Sequence, residues 1–131
     1  MDYDHGAHAK YLLMYHMIFV SKYRKKLLTI YGEDIKQIFQ YISKQSDFTI
    51  LEMEVDKDHI HLLIKSSPKI STLQITRRLK QMSTHAIWEK HCKDLRLHFW
   101  RENTLWSDGY FVCTRGNVSR EIVEKYIQNQ G

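Results

Sequence analysis

The sequence predicts an α+β fold in which one antiparallel sheet carries two helices on one face. Several short segments are rich in β-branched and aromatic residues, or alternate polar and apolar residues with a period of two. Two longer segments repeat apolar residues at helical spacing, and the two kinds of segment alternate along the chain. The length of 131 residues favours a single domain over residues 1–131.

The first two predicted elements are a buried strand and an amphipathic helix. The segment "YLLMYHMIFV" (11–20) has the aromatic and aliphatic composition of a buried strand, and it runs directly into the basic stretch "SKYRKK" (21–26). The segment "GEDIKQIFQYISKQ" (32–45) is predicted to be a helix, because four apolar residues share one of its faces: Ile35, Ile38, Phe39 and Ile42.

A β-hairpin is predicted next. Its first strand, "FTILEMEV" (48–55), alternates with strand period, so that Ile50, Glu52 and Glu54 oppose Leu51, Met53 and Val55. The polar "DKD" (56–58) is a tight turn, and "HIHLLIKS" (59–66) is the returning strand.

The second half of the chain repeats the pattern of helix and strand. Ser71 is the predicted N-cap of a long helix whose apolar stripe includes Ile75, Leu79, Met82 and Ala86. The segments "LRLHFW" (95–100) and "GYFVCT" (109–114) are predicted to be short strands. The chain closes with a predicted helix, "SREIVEKYIQNQ" (119–130).

This order of elements, βαββαβ followed by a helix, is the ferredoxin-like pattern. The sheet face away from the two helices is then open to a partner, a ligand or the terminal helix. Successive side chains of a strand point to opposite faces. Ile60, Leu62 and Ile64 can therefore face the helices, while His59 and His61 share the open face.

Composition limits the classes of partner. Twenty Lys and Arg residues against fifteen Asp and Glu give a net charge of +5 and a pI near 9.2, which suits an anionic partner such as nucleic acid. Cys92 and Cys113 fit no CxxC pattern and are expected to be reduced thiols. The sequence shows neither a signal peptide nor an apolar run of membrane-spanning length, so we expect a cytoplasmic protein with no membrane partner.

His59 and His61 form a His-x-His pair on the returning strand. Residues i and i+2 on a strand are about 7 Å apart, so two imidazoles there can converge on one divalent ion that takes further ligands elsewhere. The alternative is a pair of polar residues on a half-exposed strand. His-rich nucleotide hydrolases would have a third alternating histidine where Leu63 stands, and phosphoesterases with paired His-x-Thr/Ser motifs would have a second copy.

The terminal helix carries a possible nucleophile. Tyr126 and Gln130 are four residues apart and therefore neighbours on one helical face. A phenol near its usual pKa of about 10 is a poor nucleophile, but a metal-polarised phosphate makes covalent phosphoryl transfer to it feasible. A carboxamide one turn away could supply a metal-ligand oxygen. Alternatively, Tyr126 borders the apolar stripe formed by Ile122, Val123 and Ile127.

The chain resembles the single-tyrosine HUH-type transposases, small enzymes that move insertion sequences as single-stranded DNA. "YHMIFVSKYRKKLL" (15–28) is similar to the family's first strand and its basic exit. "DHIHLLI" (58–64) matches the His-hydrophobe-His strand, and "SDGYFVCTRG" (107–116) is similar to the strand that leads to the terminal helix. "VEKYIQNQ" (123–130) matches the helix of the catalytic tyrosine. In order, these matches span most of residues 11–130.

The resemblance implies a role for each motif. His59, His61 and Gln130 would bind Mg²⁺ or Mn²⁺, and Tyr126 would attack the scissile phosphate to hold a DNA 5′ end as phosphotyrosine. The substrate would be single-stranded DNA with subterminal hairpins, handled by a homodimer without a nucleotide cofactor. In such dimers the tyrosine helix often docks on the partner's histidine pair. Another HUH nuclease (a replication initiator or a transposase of repeated palindromes) and a non-catalytic hairpin-binding module remain the alternatives.

Two basic groups are candidates for DNA contacts. In the first, Tyr23 could stack on a base between four cations: Lys22, Arg24, Lys25 and Lys26. The second lies on the long helix, off its apolar stripe: Arg77, Arg78 and Lys80. The alternative for each group is a solvated face. Four histidines without a paired neighbour in the sequence are interpreted as structural or exposed: His16, His85, His91 and His98. Three tryptophans are interpreted as core or dimer anchors: Trp88, Trp100 and Trp106.

Overall fold

A four-stranded sheet with helices on both faces organises the computed structural model, which describes residues 4–5, 10–11, 13–114 and 120–130. Two predicted elements extend past these bounds, since residue 12 of the first strand and residue 119 of the last helix lie outside them. In chain order the elements are β1 Asp4–His5, β2 Lys10–Tyr11, β3 Leu13–Val20, α1 Leu28–Lys44, β4 Thr49–Val55, β5 His59–Ser66, α2 Thr72–Leu95, β6 Phe111–Thr114 and α3 Arg120–Gln128.

The strand order confirms the predicted ferredoxin-like arrangement. The four strands lie in the order β4-β5-β3-β6, and every neighbouring pair is antiparallel. The strand that carries the His-x-His pair, β5, is therefore central, with hydrogen-bonded neighbours on both sides. The short strands β1 and β2 form a separate two-stranded sheet.

The main core lies between the sheet and the two long helices. Phe19 and Ile60 face each other across β3 and β5 and are fully buried there. The predicted apolar faces of the helices belong to the same core, in which Ile35 and Phe39 from α1 and Leu79 from α2 are all fully buried. A second, smaller cluster occupies the opposite face under α3: Ile18, Val20, Ile127 and, partly buried against them, Phe111, Val123 and Tyr126.

The start of α2 follows its sequence signal closely. The Ser71 hydroxyl accepts a hydrogen bond of 3.1 Å from the Gln74 backbone N–H, and the Gln74 side chain accepts one of 2.8 Å from the Ser71 N–H. This capping box satisfies two helix donors that otherwise have no partner. The predicted N-cap is confirmed.

The strand β4 departs from simple alternation. Its register with β5 shifts between Ile50 and Glu52, which is a β-bulge at Leu51. Because of the extra residue, Ile50 turns towards the helices together with Met53 and Val55, while Leu51 is exposed. The predicted alternation grouped Ile50 with the glutamates, and this grouping was wrong.

The predicted strand at 95–100 does not form. The helix α2 continues to Leu95, and the backbone N–H of Phe99 then donates to the Leu95 carbonyl at 2.9 Å. Leu95 and Phe99, four residues apart, are buried, whereas Leu97 between them is 82% exposed. That spacing is helical rather than the period of two that a half-buried strand needs. Within the described ranges, no helix combines the length and apolar character needed to cross a bilayer.

Candidate active site

His59 and His61 lie on the same sheet face as the terminal helix. In the β3–β5 ladder, His61 is directly opposite Ile18 and His59 is directly opposite Val20. Ile127 of α3 packs against Ile18 and Val20. Directly opposed residues of an antiparallel pair share a face. The structure therefore places the histidine pair beside the helix that carries the candidate nucleophile.

A carboxylate orients His59. The Asp58 Oδ1 atom lies 2.9 Å from His59 Nδ1, and Asp58 Oδ2 lies 3.5 Å from Arg24 Nε. Carboxylate contacts of this kind fix the tautomer and orientation of metal-binding imidazoles. With Nδ1 occupied by Asp58, the Nε2 atom of His59 remains available for a ligand.

His61 contacts a third histidine. Its Nε2 atom lies 2.9 Å from His16 Nδ1, and the two rings are 5.1 Å apart at an angle of 56°. Burial, followed by the charge of His16, holds the pKa of His61 below its usual value, so the ring is neutral at neutral pH. The interpretation that His16 has no paired neighbour was wrong. The signal was present in the sequence, since His16, Ile18 and Val20 alternate onto one face of the strand that pairs with β5.

His85 and His91 lie outside the site and were interpreted as structural or exposed, and their contacts agree with this interpretation. His91 Nε2 lies 2.7 Å from Asp34 Oδ2 and so ties α2 to α1. His85 is exposed and lies 3.1 Å from the Glu89 carboxylate, one helical turn away. These contacts stabilise helices and are remote from the sheet face of the pair.

The Tyr126 hydroxyl is buried and has no hydrogen-bond partner among the residues that the structure describes. Its ring packs against Phe111 at 5.7 Å between centroids. Gly109 lies beside the hydroxyl, since a Cβ there would be 3.8 Å from the oxygen. Burial raises the pKa of Tyr126, which keeps the phenol protonated. In this position the Tyr126 ring packs on the sheet and its hydroxyl is protonated.

Gln130 lies at the end of the sheet where β5 begins. The Ser107 hydroxyl donates to Gln130 Oε1 at 3.3 Å, and the Ser107 backbone N–H donates to the Val20 carbonyl at 2.8 Å. Val20 is the residue opposite His59. The amide oxygen is thus at the same end of the sheet as His59, where a ligand oxygen would be needed.

The chemistry of the donors suits a divalent ion. Among the described residues, no three His, Cys, Asp or Glu side chains come together as a metal site. The expected set differs from such a group because its third member is an amide oxygen. Two imidazoles and one carbonyl-type oxygen would leave positions for water or phosphate oxygens, as a catalytic Mg²⁺ or Mn²⁺ requires.

Tyr23 of the first basic group lies at the edge of an exposed aromatic groove. Lys22 to Arg24 form a 3-10 turn in which Tyr23 and Arg24 adopt left-handed φ values of 60° and 54°. The turn holds Tyr23 63% exposed beside a groove of about 470 Å³ that Trp100 and Arg101 also line. Trp100 is 75% exposed, with the Arg101 guanidinium 4.8 Å from its ring centre. Arg101 was not identified from the sequence, because it lies outside the clusters of basic residues.

The three tryptophans do not share one environment. Trp88 and Trp106 are buried core residues, as predicted. Their indole N–H groups donate to the Thr104 carbonyl and the Ser83 hydroxyl, at 2.8 and 3.0 Å. Trp100, by contrast, is not a core residue.

The second basic group is divided by its contacts. Arg77 is exposed on α2. Arg78 donates instead to the Ser46 hydroxyl at 2.5 Å, which ties α2 to the end of α1. Lys80 donates to the Ser107 and Gly109 carbonyls at 2.8 and 2.5 Å, and burial lowers its pKa to about 8. The structure therefore gives Lys80 a role in holding the segment beside Tyr126, and the expected DNA contact of this group stays a prediction.

The structure thus combines a ferredoxin-like sheet, a His-x-His strand and a tyrosine-bearing helix on one sheet face. Residues 9–130 match the family model described as "Transposase IS200 like". The chain belongs to the IS200-like transposase family.

Individual relatives support this membership. The chain is 31% identical over 131 residues to the ISDra2 transposase TnpA of Deinococcus radiodurans, covering 99% of this chain and 92% of that protein. It is 32% identical over 127 residues to the IS200 transposase of Salmonella typhimurium, covering 95% of this chain and 80% of that protein.

Solved structures share the fold. A crystal structure from Deinococcus radiodurans, described as a transposase, superposes with a TM-score of 0.87 at 28% identity over 97% of both chains. A REP-associated tyrosine transposase bound to a REP hairpin superposes with a TM-score of 0.58 at 14% identity, covering 94% of this chain and 68% of that one. The second likeness shows a common fold.

Proposed function

We propose that this protein is a transposase that cleaves and rejoins single-stranded DNA at hairpin-marked insertion-sequence ends. The observation that carries the proposal is the shared sheet face: Tyr126 of α3 packs with Ile18 and Val20, which are the residues directly opposite His61 and His59. Gln130, which follows α3, lies at the same end of the sheet as His59. Membership of the IS200-like family and the hairpin in one structural relative support the same substrate.

Each residue has a separate task in the proposed reaction. The Tyr126 oxygen loses its proton and attacks the scissile phosphorus, so that one P–O bond forms while the bond to the 3′ oxygen breaks. The 3′ oxygen leaves with a proton as a hydroxyl, and the 5′ phosphate stays on Tyr126. A divalent ion held by His59, His61 and Gln130 would offset charge on the nonbridging phosphate oxygens.

The exchange needs no nucleotide cofactor. One phosphodiester is replaced by another, so the two sides of the reaction have similar free energies. A 3′ hydroxyl that later attacks the phosphotyrosine reverses the chemistry and joins the new strand. The Tyr126 hydroxyl, buried beside Gly109, must lose its proton before it attacks, because a protonated phenol is a poor nucleophile and burial raises its pKa.

Trapping the covalent intermediate tests the chemistry. Incubation with a hairpin-bearing single strand and Mg²⁺ should yield a 5′-phosphotyrosyl adduct on Tyr126, located by mass spectrometry. Tyr126→Phe should bind the hairpin and form no adduct, whereas Tyr41→Phe, on the exposed side of α1, should react normally. Binding without any adduct on wild-type protein would favour the alternative of a non-catalytic hairpin-binding module.

Removing the histidines tests the metal. His59→Ala and His61→Ala should each abolish cleavage while the fold and hairpin affinity are retained, since both side chains face away from the main core. A chelator should have the same effect, and added Mn²⁺ should restore wild-type activity. Cleavage that persists in chelator would show that the pair does not work through a metal.

The aromatic groove is the proposed contact for unpaired bases. Tyr23 and Trp100 are both exposed at its edge, and Lys22 and Arg101 place positive charge over their rings, at 5.6 and 4.8 Å. Base stacking on an aromatic side chain contributes about 1–3 kcal/mol per base. Tyr23→Ala and Trp100→Ala should therefore weaken single-strand binding by roughly tenfold or more, with Tyr41→Ala as the matched surface control.

The expected homodimer can be tested by mixing two inactive variants. In the single chain, α3 packs on its own sheet, whereas the resemblance suggests that Tyr126 acts on the partner's histidines. Tyr126→Phe mixed with His59→Ala/His61→Ala should regain cleavage if the parts are shared between chains, up to about half of wild type per mixed dimer. Proven subunit exchange without recovered cleavage would show that each chain uses its own tyrosine.

A further inference from the structure

The contact between His16 and His61 assigns a task to a residue outside the His-x-His motif. We propose that His16 is a positioning residue that holds His61 as the Nε2–H tautomer, so that His61 presents Nδ1 to the metal. This inference rests on the proposed metal site. It concerns the 2.9 Å contact between His61 Nε2 and His16 Nδ1 on the open sheet face.

The proton in this contact can lie on either ring. A neutral imidazole has one donor nitrogen and one acceptor nitrogen. If His16 donated from Nδ1, His61 would use its Nε2 lone pair as the acceptor and carry its own proton on Nδ1. His61 would then have no free lone pair for a metal. If His61 donates from Nε2, its Nδ1 lone pair is free, so only this arrangement keeps both the contact and the metal site.

The position of His16 is set by the sheet. His16 is directly opposite Leu63 on β5 and opposite Cys113 on β6, so its backbone is paired on both sides. Its chain neighbour Met17 is fully buried in the main core. A central strand paired on both sides therefore holds the acceptor nitrogen in place, as a residue that orients a metal ligand through a hydrogen bond requires.

The two ligands would present opposite ring nitrogens. Asp58 occupies Nδ1 of His59 and leaves Nε2 for the ion, whereas His16 occupies Nε2 of His61 and leaves Nδ1. Each histidine thus has its own orienting partner, a carboxylate in one case and an imidazole in the other. Loss of His16 should disturb His61 and leave His59 unchanged.

Two substitutions separate hydrogen bonding from packing. The amide oxygen of His16→Asn stands close to the position of the imidazole Nδ1 and can accept the same hydrogen bond. His16→Phe keeps a ring of similar size but has no acceptor. Loss of a hydrogen-bond partner that orients a metal ligand typically costs about 10- to 100-fold in metal affinity. We expect that loss of Mn²⁺ affinity for His16→Phe in calorimetry, and near wild-type affinity for His16→Asn.

The tautomer itself can be measured without metal. Nitrogen NMR of the histidine rings at about pH 8, above the usual imidazole pKa, should show His61 protonated on Nε2 in wild type and in His16→Asn. His16→Phe should show a mixture of both tautomers. His59 should remain protonated on Nδ1 in all three proteins, because Asp58 is unchanged.

The outcomes distinguish this inference from the proposed function. Wild-type protein that binds no Mn²⁺ in a His59-dependent manner would overturn the metal site, and the NMR result would still decide the tautomer. If wild type binds Mn²⁺ but His61 carries its proton on Nδ1, the inference is wrong. It is equally wrong if His16→Phe binds Mn²⁺ as well as or better than wild type, since His16 would then be a bystander or a competitor. Failure of His16→Asn to restore affinity would also overturn it, and would point to His16 as a direct ligand.

Discussion

The buried hydroxyl of Tyr126, the proposed nucleophile, should lower the stability of the folded protein. The Tyr126 hydroxyl is buried, and within the described part of the chain it has no hydrogen-bond partner. An unsatisfied buried polar group costs about 1–3 kcal/mol. Tyr126→Phe removes the hydroxyl and keeps the ring that packs on Phe111. We therefore expect this variant to raise the free energy of unfolding by about 1 kcal/mol, the lower end of the range, because Tyr126 as a whole is only partly buried.

The thermal shift follows from the size of the chain. Unfolding entropies near 2.1 cal/mol/K per residue give about 275 cal/mol/K for 131 residues. A gain of about 1 kcal/mol then corresponds to a Tm increase of about 4 °C. The increase should appear in protein that has lost all cleavage activity.

The pH dependence has a definite sign. Burial raises the pKa of Tyr126 above its ordinary value of 10.0. Above that pH the unfolded chain releases the proton while the folded chain keeps it, so wild-type stability falls as pH rises through the folded pKa. Tyr126→Phe lacks this group. Its advantage over wild type should be constant below about pH 9 and should widen above pH 10.

Urea denaturation at several pH values measures these differences. Tyr41→Phe is the matched control, because its hydroxyl belongs to an exposed side chain on α1 and should contribute little to stability. A Tyr126→Phe protein that is less stable than wild type by about 1 kcal/mol would show that the hydroxyl makes a hydrogen bond. That result would refute the description of Tyr126 as an unpartnered group.

Three further predictions concern the scaffold. Lys80→Met should lower the free energy of unfolding by about 1–3 kcal/mol, because the Ser107 and Gly109 carbonyls lose a charged donor. It should also speed amide hydrogen exchange in this segment beside Tyr126, and unchanged exchange would show that the Lys80 amine does not hold the segment. Gly32→Ala should destabilise the protein by about 1–3 kcal/mol in thermal melts, because the added Cβ would lie 2.8 Å from Val55 Cγ1. Unchanged stability would mean that the end of β4 shifts to make room for the added Cβ. Ser71→Ala should cost about 1 kcal/mol through loss of the capping box, and Ser71→Asp, which keeps an acceptor, should recover most of it in the same melts.

Much of the fold was predictable because it depends on local periodicity. The apolar face of α1, the cap at Ser71 and the alternation of β5 are each encoded within a few residues of sequence. The bulge at Leu51 was not predictable in this way, because either register leaves an alternating strand and only the fit to the core selects one. The segment after Leu95 has strand-like composition, yet the preceding helix and the burial of Phe99 determine its path.

Local periodicity also predicted part of the candidate site, whereas another part depends on how the strands pair. Alternation alone placed His59 and His61 on the open face, and helical spacing placed Tyr126 and Gln130 on one side of the last helix. The contact with His16 depends on the pairing of two strands separated by 45 residues in sequence, so it emerges only when the register is known. Roles for these residues in metal binding and catalysis remain predictions.

The central position of β5 has a practical consequence for changing target choice. Its hydrogen bonds to β3 and β4 fix the spacing of the histidine pair independently of the surface turns. The groove between Tyr23 and Trp100 is built from such turns, outside the four strands. Libraries that vary the groove could therefore be screened for altered DNA preference while the spacing of the histidine pair stays constant.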